Sequence, residues 1–462
     1  MAQTSLRVER EHSVDRVVRR LAESARLDDV GDVPEWLAER RRAGTCEVRR
    51  IPFTRLHRWS FEPDSGNLVH DTGKFFSVEG LRVRREGAPD WVQPIINQPE
   101  TGILGILAKE FDGVLHFLMQ AKMEPGNIGL FQLGPTVQAT RSNYTKVHQG
   151  RGTRYIEYFT GPRRGRVLTD ALQSEQGDSF LGKRNRNMVV ETMHDVEEHP
   201  DYRWLTLGQI HRLLAMDNLV NMDARTVLSS LPLPGGAGPV PAATQPDAAS
   251  LSWLTELKTR HERTVTRMPL SRVDGWRRCD DEIVHTTGRH LSVLAVSVVA
   301  GNREVTHWTQ PLLAAPQGLA ALVVRRAADG VQVLVQGLAQ PGTFDTVELA
   351  PTVQCVTEGY TDLDDPPPFL QHVLSAPPER ILYSALQSEE GGRFHQRDNL
   401  YLIVEADDAF PRDEDLSHSH RWLTLGHLKQ FISFGGHVNV EARTLVACLQ
   451  SLSPEQGWTW TA

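Results

Sequence analysis

Two stretches in the first half of the chain concentrate the residue types that act on a polar small molecule. One runs from Gln120 through Lys122, Glu124, Pro125, Gly126 and Asn127 to Gln132 and the string PTVQATRSNYT at 135–145; the other is LQSEQGDSFLGKRNRN at 172–187. Amide and hydroxyl side chains beside a few charges suit a site that hydrogen-bonds a sugar and a pyrimidine. Arg184 and Arg186 offer the planar guanidinium fork that a diphosphate accepts, and Tyr144, Tyr155, Tyr158 and Phe180 offer stacking faces. Each has a plain structural reading beside it. Pro125-Gly126 reads equally as a turn, Arg184 and Arg186 as a solvated strand face, and Tyr155 and Tyr158, three residues apart, as core.

Other chemistries lack their residues. There is no G-x-G-x-x-G after a strand, no Walker A string and no G-x-S-x-G elbow, so neither a dinucleotide or ATP site nor a serine hydrolase is indicated, and no cofactor is expected. His194, His199, His418 and His420 stand in acidic or loop contexts without metal-ligand spacing, and no metal is expected either. The formal net charge of −8 argues against a duplex-binding surface, since phosphate neutralisation needs clustered Lys and Arg. No apolar run reaches the roughly 18 to 20 residues of a membrane span, and residues 1–26 carry no apolar segment of a secretory signal. Cys46, Cys279, Cys355 and Cys448 are widely separated, which fits thiols in a cytoplasmic protein.

The elements that must position these residues come in two copies. RWLTLG occurs at 203–208 and 421–426, ALQSE at 171–175 and 385–389, and PTVQ at 135–138 and 351–354. VHDTG (69–73) pairs with VHTTG (284–288), WVQP (91–94) with WTQP (308–311), and NMDART (221–226) with NVEART (439–444). The offset stays between 214 and 218, so the copies are collinear. They are expected at 1–231 and 248–462, joined by the Pro/Gly/Ala-rich linker 232–247. In each, a helical stretch with Trp36 or Trp253 leads to a first strand pair near 75–83 or 291–299. A hairpin with an Asp-Gly turn follows, then a strand at 187–191 or 401–405. Thr206 or Thr424 is placed to cap a short helix, with a second helix behind it at DARTVLSSL or EARTLVACL. Strands followed by helices make an α+β domain the expected class.

The copies share their scaffold and differ in charge. Lys122 faces Leu338, Glu124 faces Gln340, Thr140 faces Val356 and Arg141 faces Thr357; further on, Gln176 faces Glu390, Arg184 faces Asp398, Arg186 faces Leu400 and Asn187 faces Tyr401. A duplicated site needs only one copy to stay catalytic. The first copy, which keeps Lys122, Glu124 and Arg184, is therefore the one expected to carry the reaction.

The strings at 91–150 and 172–188, together with the repeated RWLTLG, resemble the NDP-hexose 2,3-dehydratases over nearly the whole chain. The resemblance implies a homodimer and a tandem duplication of a Nudix-like mixed-sheet domain flanked by helices. It also implies two sugar-nucleotide pockets per subunit, one of them catalytic and the other a remnant. The metal-holding Nudix box G-x5-E-x7-R-E-U-x-E-E-x-G-U occurs nowhere in the chain, which argues against diphosphate cleavage.

The implied reaction removes the C-2 hydroxyl of a dTDP-4-keto-6-deoxyhexose to give a 3,4-diketo-2,6-dideoxy sugar, which a downstream 3-ketoreductase would consume. It needs a base, an enolate stabiliser and an acid. Glu124 or Tyr144 is the candidate base and Lys122 the enolate stabiliser or acid. Glu175 is weaker, because Glu389 repeats it. Gln93, Thr136 and Gln138 recur as Gln310, Thr352 and Gln354, and read as framework or as nucleotide contacts. Arg184, Arg186 and Asn187, with Arg141, Asn143 and Gln176 beside them, are the candidate binders. The rival readings are a sugar-nucleotide diphosphatase using an unrecognised metal site, and a sugar-nucleotide binding protein without catalysis.

Overall fold

The computed structural model describes residues 16–452 apart from 45, 86, 88, 142–151, 162–164, 234–247, 289, 302–304, 329 and 357–365. The linker expected at 232–247 thus lies almost wholly outside the described residues. Each repeat builds a seven-stranded mixed sheet from its own strands. In the first, Arg166–Ser174, Arg184–Glu191, Gly102–Phe111, Val114–Met123 and Tyr202–Thr206 lie side by side, with Phe131–Gly134 and Val137–Ala139 pairing onto the two central strands. Arg184–Glu191 runs parallel to Gly102–Phe111, and the other pairs are antiparallel. The second repeat reproduces the arrangement, its parallel pair being Gly318–Ala327 and Asp398–Glu405. The expected hairpin turns where it should: Asp112 (φ 48°) and Gly113 (φ 84°) supply the two positive-φ positions that match the twist of the flanking strands.

Among the helices that pack on the large sheets, two in each repeat follow the last strand. α1 (Leu207–Leu214) starts at Thr206, whose hydroxyl accepts from the Gln209 amide while Gln209 reaches back, a full capping box; α2 (Met222–Leu228) starts at Asn221. α3 (Leu425–Phe434) and α4 (Val440–Gln450) repeat them, capped by Thr424 and Asn439. α2 and α4 pack together where the repeats meet. There Arg225 and Arg443, both fully buried, cross between repeats: Arg225 Nη2 donates to Ser388 O (2.6 Å) and Arg443 Nη2 to Ser174 O (2.6 Å). These are the Arg residues of the twin ART strings, so the recurring motif is the seam of the duplication.

The repeats also exchange strands. Cys46–Ile51 pairs with Ser292–Ala300 of the second copy, and Arg263–Met268 pairs with Ser77–Arg85 of the first. Each smaller five-stranded sheet is therefore composite. Sequence reading began these sheets at 75 and 291 and missed both exchanged strands. CEVRRI and RTVTRM are mostly exposed, half-buried at few positions and rich in charged or polar residues, without the apolar run that marks a strand. Among the described residues no helix is long and apolar enough to cross a membrane, and the four cysteines form no disulfide.

Candidate functional site

Two loops cross between the repeats and set the site. The loop after Arg166–Ser174 carries 175–183; its twin after Ile381–Ser388 carries 389–397. Gly126 N donates to Gly391 O (2.7 Å) and Gln396 N returns a bond to Gly126 O (2.7 Å), which seats the second repeat's loop on the first repeat's Pro125-Gly126 turn. A Cβ on Gly126 would lie 1.6 Å from Phe394 O, so only glycine permits this approach. The mirror contact is complete: Gly342 N donates to Gly177 O (2.6 Å), Gly182 N to Gly342 O (2.7 Å), and a Cβ on Gly342 would stand 2.1 Å from Phe180 O. Phe180 and Phe394, one from each loop, meet edge to face at 5.9 Å. Pro125-Gly126 is thus more than a turn; it is where one repeat hands residues to the other.

What it hands over is a carboxylate. Oxygens of Glu124, Asp223 and Glu390 lie within 4.8 Å of one another, brought from the end of strand Val114–Met123, the first turn of α2 and the second repeat's loop. Glu124 and Asp223 are buried and Glu390 is partly exposed. Gln138 Nε2 donates to Glu124 Oε1 (2.8 Å), and Asn221 Nδ2 donates to Gln138 Oε1 (3.2 Å), an amide relay that fixes the carboxylate's orientation. Burial, then the charges of Glu390, Glu175 and Glu124, push Asp223 well above the carboxylate range, against the pull of Lys122.

Glu175, buried beside the trio, accepts from Asn185 Nδ2 (2.6 Å). Burial and the Glu390 charge push it up to about 7, opposed by Arg443 and Lys183. Lys183, which donates to the Glu100 carbonyl, is itself pushed down by burial. Three carboxylate oxygens at this spacing are also donors a hard divalent cation takes, a grouping that linear spacing did not reveal.

The second pocket keeps the backbone and loses this chemistry. Gln340 replaces Glu124, Leu338 replaces Lys122 and Gln176 takes the place of Glu390. Gln176 Nε2 donates to Glu389, the twin of Glu175, and Gln340 packs against Gly177. Glu441, the twin of Asp223, is pushed up to about 8 by burial and then by Glu389. Arg397, in Lys183's place, pairs with Asp178 at 3.0 Å. Asn439 and Gln354 repeat the amide relay at 2.7 Å, with no carboxylate at its end.

The remaining candidates fall in different places. Thr136 Oγ1 accepts from Leu107 N (2.8 Å) and donates to the Leu118 carbonyl, as Thr352 does for Val323 and Leu334; both brace the sheet. Gln93 Nε2 donates to Asp178 O (2.6 Å), as Gln310 does to Gly392 O (2.8 Å), so this pair holds the crossing loops. Asn187 is buried and bonded to Thr226 Oγ1 (3.0 Å). Arg184 lies 3.7 Å over the Phe344 ring of the second repeat, and Arg141 is exposed at the edge of the described segment.

Arg186 is placed elsewhere than expected. It alternates with Asn185 and Asn187 along its strand, points to the opposite sheet face and makes a two-pronged ion pair with Asp170. Tyr155, Tyr158 and Phe180 are buried core rather than stacking platforms. Asn143 and Tyr144 lie outside the described residues.

A surface cleft of about 490 Å³ lined by Trp36, Arg40, Tyr155, Glu197 and Tyr202 includes none of Glu124, Glu175, Asp223 and Glu390. Asp223 and Glu390 were missed as site residues. Asp223 was hidden inside a scaffold motif, and Glu390 was counted with the copy it does not serve.

The comparison with known proteins agrees with this two-fold plan. The family model for NDP-hexose 2,3-dehydratase matches residues 30–231 and again 247–449. A dTDP-4-dehydro-6-deoxy-alpha-D-glucopyranose 2,3-dehydratase of Saccharopolyspora spinosa is 49% identical, covering 94% of this chain and 95% of that protein. Those of Streptomyces violaceoruber (49%; 94% and 99% covered) and Amycolatopsis orientalis (50%; 92% and 91% covered) are equally similar. The chain belongs to the NDP-hexose 2,3-dehydratase family.

Proposed function

We propose that the first pocket removes water across C-2 and C-3 of dTDP-4-keto-6-deoxy-D-glucose, giving a 3,4-diketo-2,6-dideoxyhexose nucleotide for a deoxysugar pathway. One observation carries the assignment to this pocket. Glu124, Asp223, Glu390 and Lys122 gather here, where the second pocket has Gln340, Glu441, Gln176 and Leu338. The substrate follows from what the three relatives are named for.

The 4-keto group acidifies the C-3 hydrogen. Glu124, oriented by Gln138 and Asn221, takes that proton as general base. The Lys122 ammonium stabilises the enolate oxygen at C-4. When the enolate collapses, the C-2–O bond breaks and a 2,3-enol remains, which tautomerises to the diketone. Arg184 and Arg141, with Asn143 and Tyr144, remain the candidates for the nucleotide, while Gln93, Thr136, Gln138 and Asn187 act on the framework that holds it.

The same reading includes a Nudix-like fold for each repeat, supported by the mixed sheet with one parallel pair and flanking helices. It also includes a homodimer, a cytoplasmic setting supported by four cysteines outside any disulfide, and a reductase that consumes the reactive diketone.

The carboxylate trio gives a second reading its one supporting observation: three oxygens able to hold Mg²⁺ would suit a sugar-nucleotide diphosphatase. The test is incubation of the purified protein with the 4-keto nucleotide in deuterated water, with a 3-ketoreductase as trap. Loss of one water and solvent deuterium at C-2 of the trapped product, where the 2,3-enol takes its proton, are expected, with elimination abolished in Lys122→Ala. Magnesium-dependent release of thymidine monophosphate would replace this reading with the diphosphatase.

A further inference from the structure

The carboxylate cluster holds more negative charge than a buried site tolerates. Glu124, Asp223 and Glu390 have oxygens within 4.8 Å of one another. Glu175, 3% exposed, stands beside them with Oε2 making no hydrogen bond among the described residues. Carboxylates this close in a low-dielectric site do not all ionise, so the group holds at least one proton. The second pocket shows the alternative on the same backbone. There Gln176, at the position of Glu390, donates permanently to Glu389, at the position of Glu175. A carboxyl group in that place donates only while protonated and, unlike an amide, can give its proton away. Glu390 is also the partly open member of the cluster, whereas Glu124, Asp223 and Glu175 are each at most 3% exposed.

We propose that Glu390, lent to the first pocket by the second repeat, is the acid that protonates the departing C-2 hydroxyl. Glu124 takes the C-3 proton and the C–H pair forms the enolate. On collapse that pair becomes the C2=C3 bond, and the C-2–O pair leaves with oxygen. Glu390 O–H supplies the proton that makes this oxygen water. Glu390 is then recharged through the cluster, whose crowded carboxyl groups do not all ionise, and the C-3 proton returns to solvent through Glu124. The inference rests on the dehydratase reading above, but its test separates the two.

Glu390→Gln is assayed on the natural 4-keto nucleotide and on its 2-deoxy-2-fluoro analogue, whose fluoride leaves without an acid, with C-3 deuterium exchange followed in both. The expected result is a loss of water elimination of about 10²–10³-fold, with C-3 exchange retained and fluoride release within a few-fold of the unmodified enzyme. Glu390→Asp keeps an acid one methylene farther back and is expected between the two; it carries the same comparison should Glu390→Gln not fold. Equal losses for hydroxide and fluoride, or unchanged water elimination, would overturn the role of Glu390. So would abolition of the unmodified enzyme's activity by EDTA with rescue by Mg²⁺, because the cluster would then hold a cation in place of the proton. Absence of water loss and of trapped product with the unmodified enzyme would instead remove the dehydratase reading itself.

Discussion

The two pockets share one backbone and differ in what can move a proton. Around the first stand Glu124, Asp223, Glu175 and Glu390 with Lys122 and Lys183. Around the second stand Gln340, Glu441, Glu389 and Gln176 with Leu338 and Arg397. Where the first has two carboxyl groups facing each other, the second has an amide bonded to a carboxylate; where the first has a base at the end of an amide relay, the second has another amide. The second set gives Glu389 a fixed amide donor and keeps a raised carboxyl group, Glu441, beside it. The first crowds four carboxyl groups into competition for protons, the condition under which one carboxyl serves as acid and another as base. Duplication thus preserved the frame twice and the full cluster once.

The largest test of that contrast converts one pocket toward the other. Glu124→Gln, which copies position 340, is expected to lower kcat by about 10³-fold while substrate still binds. Gln340→Glu is expected to leave kcat unchanged. Steady-state kinetics with the reductase trap measure both, and activity lost through position 340 would reverse the assignment.

A second test strikes the frame, where the copies should behave alike. Gly126→Ala and Gly342→Ala each push a Cβ into a carbonyl of the opposite loop, at 1.6 and 2.1 Å. Each is expected to destabilise the fold by about 1–3 kcal/mol, seen as a similar drop in Tm. The remaining folded Gly126→Ala protein should lose kcat because the Glu390 loop is displaced, and Gly342→Ala should keep it.

How far the sequence discloses this depends on whether the information is local. The hairpin at Asp112-Gly113 and the caps at Thr206 and Thr424 are local chemistry, and were legible. The duplication was legible because six strings repeat. The exchanged strands Cys46–Ile51 and Arg263–Met268 were not, because a charged edge strand carries no apolar run and its partner is some 180 residues or more away. Lys122 and Glu124 stood out because their counterparts are Leu338 and Gln340. Glu390 was visible as a charge facing Gln176 but was assigned to the wrong pocket, since residue-by-residue comparison of copies assumes that each copy serves itself. Asp223 matched Glu441 and so looked like scaffold; only its distance to Glu124 marks it as part of the site.

The protons themselves give a third, intermediate effect. Glu175 rises from its ordinary 4.5 to about 7, through burial first and the facing Glu390 charge second, against Arg443 and Lys183, with Asn185 donating to it. A carboxyl group raised on folding binds more protons in the native state, so stability falls as pH climbs from about 4.5 to about 7 and levels off above. Its share is on the order of 1–3 kcal/mol. Glu175→Gln, which holds the position neutral, should flatten the fall in Tm across that window. In the second pocket the raised carboxyl group is Glu441, at about 8, so Glu441→Gln should flatten a window that reaches about one pH unit higher. Flattening of one and the same window by both would mean the pockets differ less electrostatically than their residues suggest.

The smallest expected effect concerns Arg186, whose residue type points to a diphosphate while its position points away. Strand alternation puts Asn185 and Asn187 on the helix side, where they meet Glu175 and Thr226, and turns Arg186 to the opposite face. There Asp170, two residues along the neighbouring strand from Arg186's register partner Leu172, takes both prongs of the guanidinium, with the two side chains 27–36% exposed. A pair that open to water contributes less than about 1 kcal/mol. Its counterparts Leu400 and Ser384 have no charge, yet the second sheet forms the same pairing. Arg186→Ala should therefore shift Tm only slightly and leave KM for the nucleotide within about twofold. Arg184→Ala, on the residue stacked against Phe344 of the other repeat, should raise KM more. Reversal of that order would mean the diphosphate lies across the outer face of the sheet, and the loop crossing would then frame the sugar alone.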